Sequence, residues 1–275
     1  MKYLPEYATN TLGYTLILTI GIIHGANDIH LELKKNELTA TKTKSIALLL
    51  KYVLVTLLTA IVFYFFSSIA LLLFIIFSGY HFGEQHWQRH ITSFKKTRSL
   101  FFGLYGLMIL SLFFFCNTEG SQEVIKHLTG ILVPEQVFTI SFIITSISFL
   151  ILALCYLKQK TTDFWMRELF FMIVFALLFT LAPLVWAFAI YFIFWHSIPS
   201  LRDQIHFLYN GTSKNHIIAY TKQALVFWII SLIAITLFVI FLKDQVQILT
   251  AILVAFLAAI TIPHTLLMRK IFKTD

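Results

Sequence analysis

Long apolar runs separated by short polar stretches dominate the chain. They fall at about 12–30, 45–66, 68–87, 99–116, 136–157, 167–182, 184–206, 221–242 and 246–268. Most come close to the roughly 20 residues that a helix needs to cross about 30 Å of hydrocarbon; the sixth is short. Two boundaries are narrow. Ser67 and Ser68 part the second and third runs, and Ala182–Pro183 parts the sixth and seventh, where proline could instead kink one long helix. Joining across one or both gives eight or seven spans. Neither an internal repeat nor a soluble domain interrupts the series. The pattern therefore predicts one transmembrane domain over 1–275: an all-α, polytopic helix bundle of about nine spans.

The placement of charge tests this division. With the loops assigned alternately, one side receives Lys34, Lys35, Lys42, Lys44, Lys51, Arg89, Lys95, Lys96, Arg98, Lys158, Lys160, Arg167, Arg202, Lys214, Lys222, Arg269, Lys270 and Lys273. The other receives only Lys2, Lys126 and Lys243. Basic loops stay cytoplasmic, which places the N-terminus outside, the C-terminus inside and the chain in the cell inner membrane. The net charge of +8 is then an orientation signal and a contact for anionic lipid, and no nucleic-acid partner is expected. Composition agrees: 59% hydrophobic and 12% charged residues, against about 45–50% and about 25% in soluble domains. Cys116 and Cys155 lie in separate apolar runs without Cys-x-x-Cys spacing, so neither a disulfide framework nor a thiolate site is expected. The start contains Glu6, no basic cluster and no following Ala-x-Ala-like site, and reads as a retained helix.

Ionisable side chains at membrane depth are costly and point to function. Four histidines stand there: His24 in Gly21-Ile-Ile-His-Gly-Ala-Asn-Asp28, His81 in Ser78-Gly-Tyr-His-Phe-Gly83, His196 in Phe194-Trp-His-Ser197 and His264 in Ile262-Pro-His264. They occupy the first, third, seventh and ninth runs, which all point the same way, each roughly 4–10 residues before the cytoplasmic end. At about 1.5 Å per residue this brings them within a turn or two of one depth. Side chains on facing helices build metal sites in bundles. Small neighbours, Gly21, Gly25, Ala26, Ser78, Gly79 and Gly83, permit close helix approach. Asp28 and Glu84, four and three residues beyond a histidine, could orient an imidazole. His30, His86, His90, His206 and His216, with Asp203 and Gln204, read as interfacial; His127 belongs to an outer loop. Helix packing alone is the competing explanation for any one membrane histidine.

Imidazole suits Fe, Zn, Cu and Ni, so the ligands alone do not choose the metal. The surrounding Phe, Tyr, Trp, Leu and Ile suit a lipophilic substrate entering from the bilayer. P-loop, nucleophile-elbow and His-Glu-x-x-His motifs are absent from the sequence.

With Gly-x-x-His24-Gly-Ala-x-Asp28, His81-Phe-Gly83, Phe194-Trp-His196-Ser and Pro263-His264 in this order, the chain resembles the Brp/Blh family of bacterial and archaeal membrane β-carotene 15,15'-dioxygenases, which make retinal for rhodopsins. The resemblance implies Fe(2+) as cofactor, β-carotene and O2 as substrates, two retinal as products and a functional link to a rhodopsin. It places His24, His81 and His196 as iron ligands. That family usually carries a second histidine four residues after the one in the seventh helix; here the position is Ser200, behind Pro199. His264 is the preferred replacement, then Glu84; a site of three histidines and a loss or change of activity are the alternatives. Against the enzyme stand a non-catalytic carotenoid- or retinal-handling protein, a bis-histidine haem electron carrier and, more weakly, a transporter.

Overall fold

A computed structural model describes residues 6–35, 42–91, 97–158, 160–241 and 249–271. Lys2, Lys95, Lys96, Lys243 and Lys273 of the charge pattern, and the C-terminal Asp275, lie outside the described residues. The described elements are all helical. They are α1 (Glu6–Leu16), a π-helical segment π1 (Ile17–Gly21), α2 (Asp28–Lys35), α3 (Lys42–Phe65), α4 (Ser67–Trp87), α5 (Arg98–Cys116), α6 (Thr118–Thr129), α7 (Glu135–Tyr156), α8 (Thr162–Leu181), α9 (Leu184–Tyr191), a second π segment π2 (Phe192–Ser197), α10 (Ile198–Tyr209), α11 (Lys214–Phe241) and α12 (Leu249–Ile271). Among the described residues eight helices are long and apolar enough to cross a membrane, so the chain is a polytopic helical membrane protein.

Both narrow boundaries are real breaks. Helix α3 ends at Phe65 and α4 begins at Ser67, while Ala182 turns to an extended conformation (φ −107°, ψ 146°) before Pro183, as the residue before proline prefers. The sixth run is longer than its apolar stretch. Thr161 accepts a hydrogen bond from the Phe164 backbone N–H and starts α8 at Thr162, giving 20 residues. The first run differs most. Instead of one helix it is α1, π1, a turn over 24–27 and α2, so nine continuous spans become eight plus a broken segment. The connection after the fourth run holds α6, with Glu119 in its first turn and Lys126 and His127 in its last, signs that suit the helix dipole. It closes on Gly130, whose φ of 73° is left-handed.

The residues form two compact units, one from Met1–Gly13 and Leu72–Tyr191, the other from Tyr14–Leu71 and Phe192–Asp275. In the first, α5 lies against α7 and α8. Helices α4 and α5 meet backbone to backbone: a Cβ on Gly106 would stand 1.7 Å from the Gly79 carbonyl oxygen, and one on Gly83 only 1.9 Å from that of Phe102. The expected role of small residues beside His81 is thus met. One end of this unit is aromatic: the buried Trp87 ring packs against Phe101 and Tyr105 at 5.2 and 5.5 Å. Beside it His86 stacks on Tyr105 and its Nε2 lies 2.9 Å from Glu168 Oε2 of α8. His86 therefore ties α4 to α5 and α8.

In the second unit α12 packs along α3, and α10 against α2, π2 and α11. Helix α3 turns most of its surface outward, with Leu50, Leu54, Leu57, Leu58 and Ile61 all more than half exposed, as a lipid-facing helix does.

Two outcomes follow from this packing. Gly106→Ala should lower stability by about 1–3 kcal/mol or more, because backbone blocks the added methyl. Gly103→Ala in the same helix meets nothing within 4 Å and should be neutral or stabilise by up to about 1 kcal/mol. Thermal unfolding in detergent compares the two, and equal effects would contradict the close approach. Reporters check the orientation: one fused after Asp275 should lie in the cytoplasm and one at Glu119 outside, and finding both on one side would break the alternation.

Candidate metal centre

Three of the four membrane histidines come together in the unit formed by Tyr14–Leu71 and Phe192–Asp275. His24 is central. Its ring centroid lies 5.0 Å from those of His196 and His264, edge to face with both. All three are buried. His81, also buried, lies on α4 in the other unit, where Glu84 accepts a 2.6 Å hydrogen bond from the Tyr80 hydroxyl.

The local backbone explains why these rings turn inward. His24 opens the non-helical turn that follows π1, and His196 lies within π2. A π turn carries an extra residue and is frequent at functional sites. The two π segments touch: a Cβ on Gly21 would stand 2.7 Å from the Phe192 ring. That ring stacks on His196 at 5.3 Å and meets His24 at 5.7 Å. His264 follows Pro263, the proline inside α12, which removes one helical N–H.

Hydrogen bonds fix two of the rings. His264 Nδ1 lies 2.8 and 3.0 Å from the two Asp28 carboxylate oxygens. His24 Nδ1 donates to the Gly21 carbonyl. Neither a carbonyl nor a carboxylate can donate, so Nδ1 carries the proton in both rings. In the neutral imidazole that makes Nε2 the lone-pair nitrogen, the usual arrangement for a metal-binding histidine. Asp28 was expected to orient His24 across one helical turn. Because the chain is not helical between them, its carboxylate reaches His264 of α12 instead. Helix α3 joins α12 nearby, where the Tyr52 hydroxyl donates to the Ile260 carbonyl at 3.4 Å.

Ser200 is buried five per cent exposed in the first turn of α10, and its Oγ accepts from Gln204 Nε2 at 3.0 Å. Gln204, expected at the interface, is fully buried. Its Oε1 accepts from the Tyr220 hydroxyl at 2.6 Å. Tyr220 and Asn27 complete this polar group and were missed from sequence. Asn27 sat in the His24 motif as a variable position, and Tyr220 is one phenol at the polar edge of an apolar run.

The donor set can be tested against a metal. Imidazole nitrogens bind first-row metals at roughly 2.0–2.1 Å, so two rings on one ion have centroids roughly 4.5–5.2 Å apart. The observed 5.0 Å spacings fit. Among the described residues no group of three His, Cys, Asp or Glu side chains is arranged to hold a metal ion, so the three rings would have to re-orient to share one. A haem between two imidazoles needs their centroids roughly 6 Å apart on opposite sides of the macrocycle, wider than the 5.0 Å between His24 and either neighbour.

A cavity of about 450 Å³ adjoins the histidines and is lined by Ile22, Gly25, Asp28, Tyr52, Thr56, Phe227, Ser231, Phe256 and Ile260 among others. Gly25 connects the two, since a Cβ there would lie 3.6 Å from His264 Nδ1. Val53, Leu57 and Ile230 also line the cavity and are 42%, 55% and 57% exposed, so its mouth opens on the lipid-facing surface.

The Asp28–His264 contact yields a measurable outcome. Asp28→Asn keeps the size but removes the charge, and metal affinity should fall roughly ten-fold or more. His264→Ala should fall at least as far. Competition with a chelator measures both, and wild-type affinity in each variant would remove His264 from the site.

Comparison with curated proteins and with solved structures gives no match. The sequence model of the family described as beta-carotene 15,15'-dioxygenase matches residues 15–272, which takes in all four histidine motifs. The chain belongs to the beta-carotene 15,15'-dioxygenase family.

Proposed function

We propose that this protein is a non-haem iron dioxygenase of the cell inner membrane that cleaves the central double bond of β-carotene with O2 to give two retinal. The observation that carries the reading is the His24–His196–His264 trio beside an apolar cavity that opens toward lipid, in a chain of this family. Its volume of about 450 Å³ falls among ordinary ligand pockets, about 300–1,000 Å³, and suits one end of a long polyene whose remainder lies outside it.

His24, His196 and His264 would hold ferrous iron, and the bound iron would supply the activation of O2. Asp28 and the Gly21 carbonyl keep the Nδ1 protons in place, so that Nε2 of His264 and His24 would carry the lone pair offered to a metal. The walls formed by Ile22, Phe227, Phe256 and Ile260 hold the polyene and exclude water. Each product aldehyde takes one oxygen atom and no proton is gained or lost overall, so no acid–base pair is required. Retinal would leave into the bilayer, where a rhodopsin can take it up. A non-catalytic carotenoid-handling role is the second reading, and Ser200 in place of the family's histidine is the observation that favours it.

Expression in cells that accumulate β-carotene decides between them. The orange colour should fade and retinal should appear, and His24→Ala should abolish both. The purified protein should carry about one iron per chain without a Soret band. Unchanged colour with well-expressed, iron-loaded protein would overturn the enzyme reading in favour of the second.

A further inference from the structure

The turn over 24–27 breaks the backbone hydrogen-bond pattern beside His24. The Asp28 N–H bonds to the Gly25 carbonyl at 3.4 Å and not to that of His24, its partner in a regular helix. Tyr220 of α11 meets the His24 carbonyl instead, with its hydroxyl at 3.1 Å. The same residue receives Asn27 Nδ2 on its own backbone carbonyl at 2.9 Å. One tyrosine thus grips both ends of the turn.

The tyrosine hydroxyl also reaches the second break. Its single proton is shared between the His24 carbonyl and Gln204 Oε1, the latter at 2.6 Å, and Gln204 Nε2 passes the chain on to Ser200 Oγ. Ser200 lies four residues after His196, on the helix that continues π2. Tyr220 is 1% exposed, Asn27 and Gln204 0%. Apolar replacements of matching shape can be nearly neutral for stability, so a buried polar chain at this place points to geometry.

We propose that Tyr220, with Asn27 and Gln204, is the positioning device of the metal centre: it locks the turn carrying His24 to the helix carrying His196, so that both imidazoles are pre-set for the ion. In this chain the relay ending on Ser200 occupies the place where the family usually has a further histidine. The inference rests on His24 and His196 being metal ligands.

Co(II) titration of the full-length protein in detergent, followed by its visible absorption and by chelator competition, tests it without turnover. Tyr220→Phe keeps the ring and removes the hydroxyl; Co(II) binding should weaken about ten-fold or more. That variant strands Gln204, so Tyr220→Phe/Gln204→Leu, with both partners apolar, is measured beside it. The double variant no longer strands Gln204, so in the metal-free form it should be at least as stable as Tyr220→Phe, and it should still lose Co(II) affinity. Wild-type Co(II) affinity in both variants would overturn the proposal, as would a drop in metal-free stability with affinity unchanged, the signature of a structural role. Absence of Co(II) binding by the wild-type protein would instead overturn the metal-site reading on which the proposal rests.

Discussion

A backbone that leaves the α-helix inside hydrocarbon has no water to bond, and every carbonyl it frees must be met within the protein. The segment from Ile17 to Asn27 leaves it twice, and α11 meets the consequence. The Trp228 indole N–H lies 3.2 and 3.1 Å from the Leu18 and Thr19 carbonyls of π1. Two turns away, Tyr220 serves the His24 carbonyl. The broken first segment is tolerable because one neighbouring helix places two amphipathic aromatic side chains along it. The histidine cluster, its apolar cavity and the close contact of π1 with π2 all depend on that support.

The other unit, which carries His81, is held by different means. Its α4–α5 contact needs three glycines whose missing side chains let carbonyls touch the opposite helix, an interaction made of dispersion and close fit. Around it, buried Phe101, Phe102, Phe113, Phe175 and Phe179 fill the interior. The many phenylalanines are therefore partly structural, and the substrate reading draws only on those that line the cavity.

Much of the fold was legible because a bilayer imposes one period and one length on a helix. The breaks at Phe66 and Ala182–Pro183 followed from small residues and proline. Shared depth suggested that His24, His81, His196 and His264 would gather; the ring contacts bring together His24, His196 and His264. What hydropathy could not show was local winding. π1, π2 and the 24–27 turn have the same apolar composition as regular helix, and winding decides which side chain faces which. That is why Asp28 was paired with His24 rather than with His264, 236 positions away along the chain. Gln204 and Tyr220 escaped notice for a related reason: their roles come from two long-range contacts that no spacing rule encodes.

The two π segments carry a further consequence for how this site came about and how it can be lost. A π turn is an α-helix with one residue too many, absorbed locally so that everything after it is rotated by about a hundred degrees relative to an uninterrupted helix. His24 and His196 both stand at such places, one just past π1 and the other inside π2. Their inward aim is therefore a property of chain length as much as of residue identity. Scanning by substitution, which preserves length, leaves that property untouched; removal of a single apolar residue from either segment would swing an intact histidine out of the centre.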